Sequence, residues 1–288
     1  MSSSPLVSAD GLRALLVTER PPVVLDVRYR MASTTPGFEL YAAGHIPGAA
    51  YVDMDADLAA PPGEGGRHPL PDPAVFNAAM QRSGVGLESP VVVYDDWAGH
   101  AAARAWWLLR HYGHRDVRVL DGGWSAWQAA GGEVETGEST PLPGDFHGAP
   151  GFMRVVDADG AARVGREGVL IDARAPERYR GEIEPVDPIA GHIPGAVNVP
   201  TARNLDNHGH FRDPHELAAL YGEVGALMRS GDESGVDDSP PDVAVYCGSG
   251  VTACHNIIAL ELLGVPAALY AGSWSGWITD PSRTVHRT

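Results

Sequence analysis

At 288 residues, 44% of them hydrophobic, the chain is long enough to bury two ordinary cores. Its formal net charge of −16 argues against nucleic acid or an anionic membrane as partner, because both call for a basic surface. All 21 basic residues are arginine, so Walker-type phosphate loops and lysine Schiff bases are excluded together.

The chain opens on Met1-Ser2-Ser3-Ser4-Pro5, which lacks the basic-then-apolar layout of a secretory signal, and no apolar run approaches a membrane span. A cytoplasmic protein is expected. Val24-Leu25-Asp26-Val27-Arg28 reads as a short buried strand, followed by the turn Ala43-Gly44-His45-Ile46-Pro47-Gly48-Ala49. Val91-Val92-Val93-Tyr94 predicts a second buried strand, Ala101 to Tyr112 a helix stopped at Gly113, and Leu120-Asp121-Gly122-Gly123-Trp124 a last strand and turn. From Glu133 to Pro150 no apolar period survives, and this stretch is read as a linker.

The chain then repeats itself. Leu170-Ile171-Asp172-Ala173-Arg174 answers the first strand, and the seven-residue turn recurs letter for letter from Ala190 to Ala196. Val243-Ala244-Val245-Tyr246, a helix-like stretch Val251 to Leu263 ending at Gly264, and Tyr270-Ala271-Gly272-Ser273-Trp274 complete the second copy. Ser230 to Pro241, rich in acidic residues, glycine and serine, is expected to be a surface loop. Unalternating strands joined through helices predict an α/β domain with a mainly parallel sheet and helices on both faces, present twice. The expected domains are residues 1–140 and 150–288.

Cys247 carries the chemistry. It ends a buried strand and opens the turn Gly248-Ser249-Gly250-Val251-Thr252, so its sulfur is delivered to the first turn of a helix, where N–H groups are unpaired and the dipole is positive. That is the setting of a thiolate nucleophile. Glycine-rich turns between strand and helix cradle anions, and here the guest would be bonded to the cysteine itself. A phosphatase would need arginine six residues after the nucleophile to clamp phosphate oxygens, and that position is Ala253. Sulfur is therefore the better guest. Cys254, seven positions on, is read as a packed helix residue, and two cysteines so spaced fit a reducing compartment. In the first half the cysteine position is filled by Asp95-Asp96-Trp97, and a carboxylate cannot carry sulfur; these residues are expected to cap a helix or face the partner domain. Arg28 and Arg174, like His45 and His192, occur in both halves and so are read as structural.

These residues resemble the tandem-domain rhodanese sulfurtransferases, and among them the 3-mercaptopyruvate type. The resemblance rests on the repeated Gly-His-Ile-Pro-Gly-Ala turn, the Asp-x-Arg strand ends, Asp121-Gly122-Gly123-Trp124 and the run Cys247 to His255, and it spans nearly the whole chain. It implies that Cys247 takes sulfur from a small anionic donor as a persulfide and passes it to a thiol, cyanide or a thioredoxin-like acceptor, with no metal or organic cofactor. Thiosulfate-preferring relatives carry basic residues directly after the cysteine, whereas Gly248-Ser249-Gly250 resembles the mercaptopyruvate loop. The family attributes proton transfer to a loop serine with a histidine and an aspartate from the first domain, which match Ser249, His68 and Asp55, and so implies a site in the crevice between the domains. The loop residues Gly248, Gly250, Val251 and Thr252 would line the donor site. Arg178 matches the first substrate arginine; the second, nine positions later, is replaced by Asp187, which resembles the thiosulfate enzymes, with Arg180 as a candidate substitute. Thiosulfate as donor, and a non-catalytic or persulfide-carrier module, are the alternatives.

Overall fold

A computed structural model describes residues 4–29, 35–227 and 242–288. The acidic stretch Ser230 to Pro241 falls outside the described residues. The chain forms two compact units. The first comprises Met1–Pro61, Leu70–Met153 and His208–His210; the second comprises Pro62–Pro69, Arg154–Asn207 and Phe211–Thr288.

In chain order the first unit holds β1 (Leu6–Val7), α1 (Ala9–Leu16), β2 (Val23–Asp26), α2 (Gly37–Ala43), β3 (Ala50–Tyr51), α3 (Pro73–Arg82), β4 (Val91–Tyr94), α4 (His100–His111), β5 (Val117–Leu120) and α5 (Gly123–Ala129). The second holds β6 (Val155–Val156), α6 (Ala158–Glu167), β7 (Val169–Asp172), α7 (Pro176–Arg180), β8 (Val197–Asn198), a 3-10 turn at Thr201–Asn204, α8 (Pro214–Glu223), β9 (Val243–Tyr246), α9 (Ala253–Leu262), β10 (Ala267–Tyr270) and α10 (Ser273–Trp277). The first sheet runs β1-β5-β4-β2-β3 and the second β6-β10-β9-β7-β8, the same order, with every pairing parallel.

The central strands explain why the sequence shows no alternation. All four residues of β4 and of β9 are buried, because helices cover both faces of each sheet. Val92 and Tyr94 pack with Leu12 of α1 and Trp127 of α5, and the next residues along the strand point to the side that α4 covers. In the second unit Ala244 and Tyr246 take the same places against Ala161 and Val164 of α6 and Trp274 and Trp277 of α10. The first helix after each edge strand starts alike: the Ser8 hydroxyl accepts the Gly11 N–H at 3.1 Å, and Asp157 accepts the Gly160 N–H at 2.8 Å. In a parallel sheet the carboxyl ends of all strands open at one edge, and the loops that follow them carry the chemistry.

Candidate active site

Strand β9 leads directly into Cys247, which is 1% exposed. The chain then turns into α9 through Gly250, whose φ of +82° favours glycine; a methyl group there would come within 2.5 Å of the Ala271 carbonyl oxygen. That turn folds the loop back on the sulfur, and the Gly250 N–H donates to Cys247 Sγ at 3.2 Å. The turn opening α10 fixes the loop from below. Trp274 N–H donates to the Cys247 carbonyl at 3.0 Å, Ser275 N–H to the Gly248 carbonyl at 2.9 Å, and Cys247 N–H donates to Ser273 Oγ at 3.1 Å. The N–H groups of Ser249, Val251, Thr252 and Ala253 make no backbone hydrogen bond among the described residues, so the mouth of α9 is lined with available donors. Cys254 is fully buried in α9, and its thiol donates to the Gly250 carbonyl at 3.5 Å.

The first unit shows what such a loop holds when it has its own anion. Asp95 follows β4 as Cys247 follows β9 and is fully buried. Its Oδ1 accepts the N–H groups of Trp97 and Gly99, both at 2.8 Å, and its Oδ2 those of Ala101 and Ala102, at 2.8 and 2.9 Å. Four main-chain donors thus converge on one carboxylate. In the second loop the Gly250 N–H goes to the Cys247 sulfur, and the Cys254 N–H, the counterpart of that of Ala102, goes to the Val251 carbonyl at 3.2 Å.

Segment Pro62–Pro69 belongs to the second unit. Its Gly66 has φ +99°, and a methyl group there would lie 2.7 Å from the Gly272 carbonyl oxygen and 2.8 Å from Ser275 Oγ. Only glycine sits so close to that turn. Arg67 N–H then donates to Ser275 Oγ at 3.1 Å, and Thr279 Oγ1 donates to the Glu64 carbonyl at 3.2 Å. Ser275 therefore grips the Cys247 loop with its N–H and this segment with its hydroxyl. The outcome is a contact of 2.7 Å between His68 Nδ1 and Ser249 Oγ. Asp55 lies in the first unit, exposed, with its own N–H on Asp53 Oδ1 at 2.9 Å.

Arg178, on α7, stands at the same loop: a methyl group on Gly248 would come within 3.6 Å of its Nη1. Glu184 holds its other edge, accepting from Nε at 3.1 Å and from Nη2 at 2.6 Å. Burial pushes the Glu184 carboxyl up, but the hydrogen bonds and charge of Arg178 outweigh it and leave it below the usual range. Arg180 points elsewhere and pairs with Glu182 at 2.7 Å.

Residues 8–130 and 158–280 each match the family described as Rhodanese-like domain. The chain belongs to the rhodanese family. It is 48% identical over 292 residues to a Pseudomonas aeruginosa protein named as a 3-mercaptopyruvate sulfurtransferase, an alignment that covers 99% of each chain. SseB of Mycobacterium tuberculosis, which bears a thiosulfate sulfurtransferase name, is 41% identical over 98% of this chain and 96% of its own. Among solved structures, SseA from Escherichia coli superposes with a TM-score of 0.78 at 31% identity, covering 95% of this chain and all of that one.

Each rhodanese unit repeats one buried ion pair. Arg28 and Arg174 bond Asp26 and Asp172 through Nη2 at 2.6 Å and stack over Trp124 and Trp274 at 4.7 Å. Tyr94 and Tyr246 lie against these carboxylates, and burial with the adjacent charge holds both phenols well above their ordinary range. His45 and His192 stack at 4.0 Å on Tyr41 and Tyr179 in the same way. No group of three or more His, Cys, Asp or Glu side chains among the described residues is arranged to hold a metal ion. No helix among them is long and apolar enough to cross a membrane. Sequence reasoning passed over Gly66, Arg67 and Ser273. The signal for Ser273 was present in the repeat, since Gly122-Gly123-Trp124 becomes Gly272-Ser273-Trp274. Arg67 stood beside His68 but in no repeated motif.

Proposed function

We propose that this protein is a 3-mercaptopyruvate sulfurtransferase working through a persulfide on Cys247. The Cys247 thiolate attacks the donor sulfur, an S–S bond forms, and the donor's C–S bond breaks with its electron pair passing to carbon as the enolate of pyruvate. Ser249 supplies a proton to that enolate and recovers it through His68, so pyruvate leaves and Cys247 keeps one extra sulfur. Asp55 is the family's charged partner for this relay and is assigned by resemblance. In the second stage a thiolate or cyanide attacks the outer sulfur and Cys247 leaves as thiolate, giving a new persulfide or thiocyanate. A thioredoxin-like dithiol instead becomes a disulfide and releases sulfide. Arg178 binds the donor carboxylate through Nη1, the group that Glu184 and Asp187 leave open. The main-chain donors from Gly248 to Thr252 take the charge that builds on sulfur.

The observation that carries this reading is the 2.7 Å contact between His68 Nδ1 and Ser249 Oγ within the unit that holds Cys247. A transfer from thiosulfate leaves sulfite, which needs no carbon protonation. The test is a side-by-side kcat/KM for mercaptopyruvate and thiosulfate, repeated with Ser249→Ala. The expected loss is about 100-fold for mercaptopyruvate and under about 3-fold for thiosulfate. Faster wild-type turnover of thiosulfate, or equal losses on both donors, would make the protein a thiosulfate sulfurtransferase, the reading that Asp187 favours.

A further inference from the structure

Replacing a substrate arginine by Asp187 ought to empty half of an anion site, yet Asp187 is buried and already engaged. Its carboxylate pairs with Arg67 Nη1 and accepts from Arg178 Nη2 at 3.3 Å. Burial pushes the Asp187 carboxyl above its ordinary range, against the pull of the Arg67 charge. The arginine it anchors is aimed at the reacting loop. A methyl group on Gly248 would come within 2.8 Å of Arg67 Nη2, closer than any atom of Arg178. With Nη1 tied to Asp187, the Nε and Nη2 groups of Arg67 make no hydrogen bond among the described residues, and Nε is buried. Those two N–H groups form one edge of the guanidinium, the fork whose spacing matches two carboxylate oxygens. Arg178 Nη1 likewise carries no bond among the described residues.

From this geometry we infer that Arg67 is the second carboxylate-binding residue of the donor site, held in place by Asp187. The inference rests on mercaptopyruvate as donor and names a residue for it. Arg67, Arg174 and Arg178 are balanced by Asp172, Glu184 and Asp187, so the cluster attracts through oriented donors and not through excess charge. A neutral cluster of oriented donors suits a monoanionic carboxylate better than a dianion such as thiosulfate, which brings twice the unbalanced charge into the site.

The experiment compares mercaptopyruvate with mercaptoacetone, the same thiol ketone without the carboxylate, using cyanide as acceptor. Arg67→Gln is expected to raise KM for mercaptopyruvate about 10- to 100-fold with kcat changed less than about 3-fold, because a contact equal in ground and transition state is lost. Mercaptoacetone kcat/KM stays within about 2-fold. Arg67→Lys keeps charge and length without the fork, and recovers only part of the mercaptopyruvate KM. It serves as the deciding variant should Arg67→Gln fail to fold. Equal losses on both donors, or full recovery with lysine, would overturn the assignment. Wild-type turnover of mercaptopyruvate with an unchanged KM in Arg67→Gln removes Arg67 alone. Absence of wild-type turnover removes the donor reading itself.

Discussion

Ser273 takes φ +52°, a conformation that costs a residue with a Cβ about 1 kcal/mol or more, at a turn where the first unit uses Gly123 with φ +56°. The serine hydroxyl accounts for the exchange. It accepts the buried Cys247 N–H and donates to the Tyr270 carbonyl at 2.9 Å, tying the nucleophile's own backbone to the end of β10. Its loss strands a buried donor, which costs about 1–3 kcal/mol. Ser273→Ala should therefore lower the unfolding free energy measured in urea by about that amount, and the midpoint with it. Ser273→Gly should lose less, because glycine accepts the same φ. Equal urea curves for Ser273→Ala and wild type would mean that the hydroxyl does not hold the strand end.

At the scale of elements, the short turn Gly272–Gly276 organises the site, since it hydrogen-bonds the Cys247 loop and carries segment Pro62–Pro69. Gly66→Ala adds a methyl group within 3 Å of two fixed groups of that turn, at a φ that L side chains avoid. The segment must lift, and Arg67 and His68 move with it. The expected result is a loss of at least about 10-fold in mercaptopyruvate kcat/KM with the far-ultraviolet circular dichroism spectrum essentially unchanged, since the clash falls on the five-residue α10 and its opening turn and on no strand. Retained activity in Gly66→Ala would detach the segment from catalysis. Elements of this kind mark the limit of what the sequence reveals. Apolar runs such as Val243 to Tyr246 and their copies in the first half announce strands because burial on both faces leaves no alternation. The candidates Cys247, Ser249, His68 and Arg178 stand out in the sequence through motif and resemblance. Arg67 does not, because the role proposed for it depends on a turn 208 residues away in sequence and on an aspartate that reads, by itself, as a missing charge.

Across the whole molecule, the duplication sets two versions of one anion loop side by side in sequence. The first has filled its donors permanently with Asp95, which accepts four N–H groups and is fully buried, and so has stability where its copy has reactivity. The second follows its strand with a thiol, and the N–H groups of Ser249, Val251, Thr252 and Ala253 have no backbone partner among the described residues. The two domains thus divide the labour, although their strand orders are identical. The chain should carry one transferable sulfur and no more, at residue 247. Mass spectrometry of the protein after exposure to mercaptopyruvate, followed by peptide mapping, measures this directly. A gain of one sulfur atom per chain is expected on the peptide containing Cys247, reversed by cyanide and absent in Cys247→Ser. An adduct located on Cys254, or a Cys247→Ser protein that still turns over the donor, would contradict it.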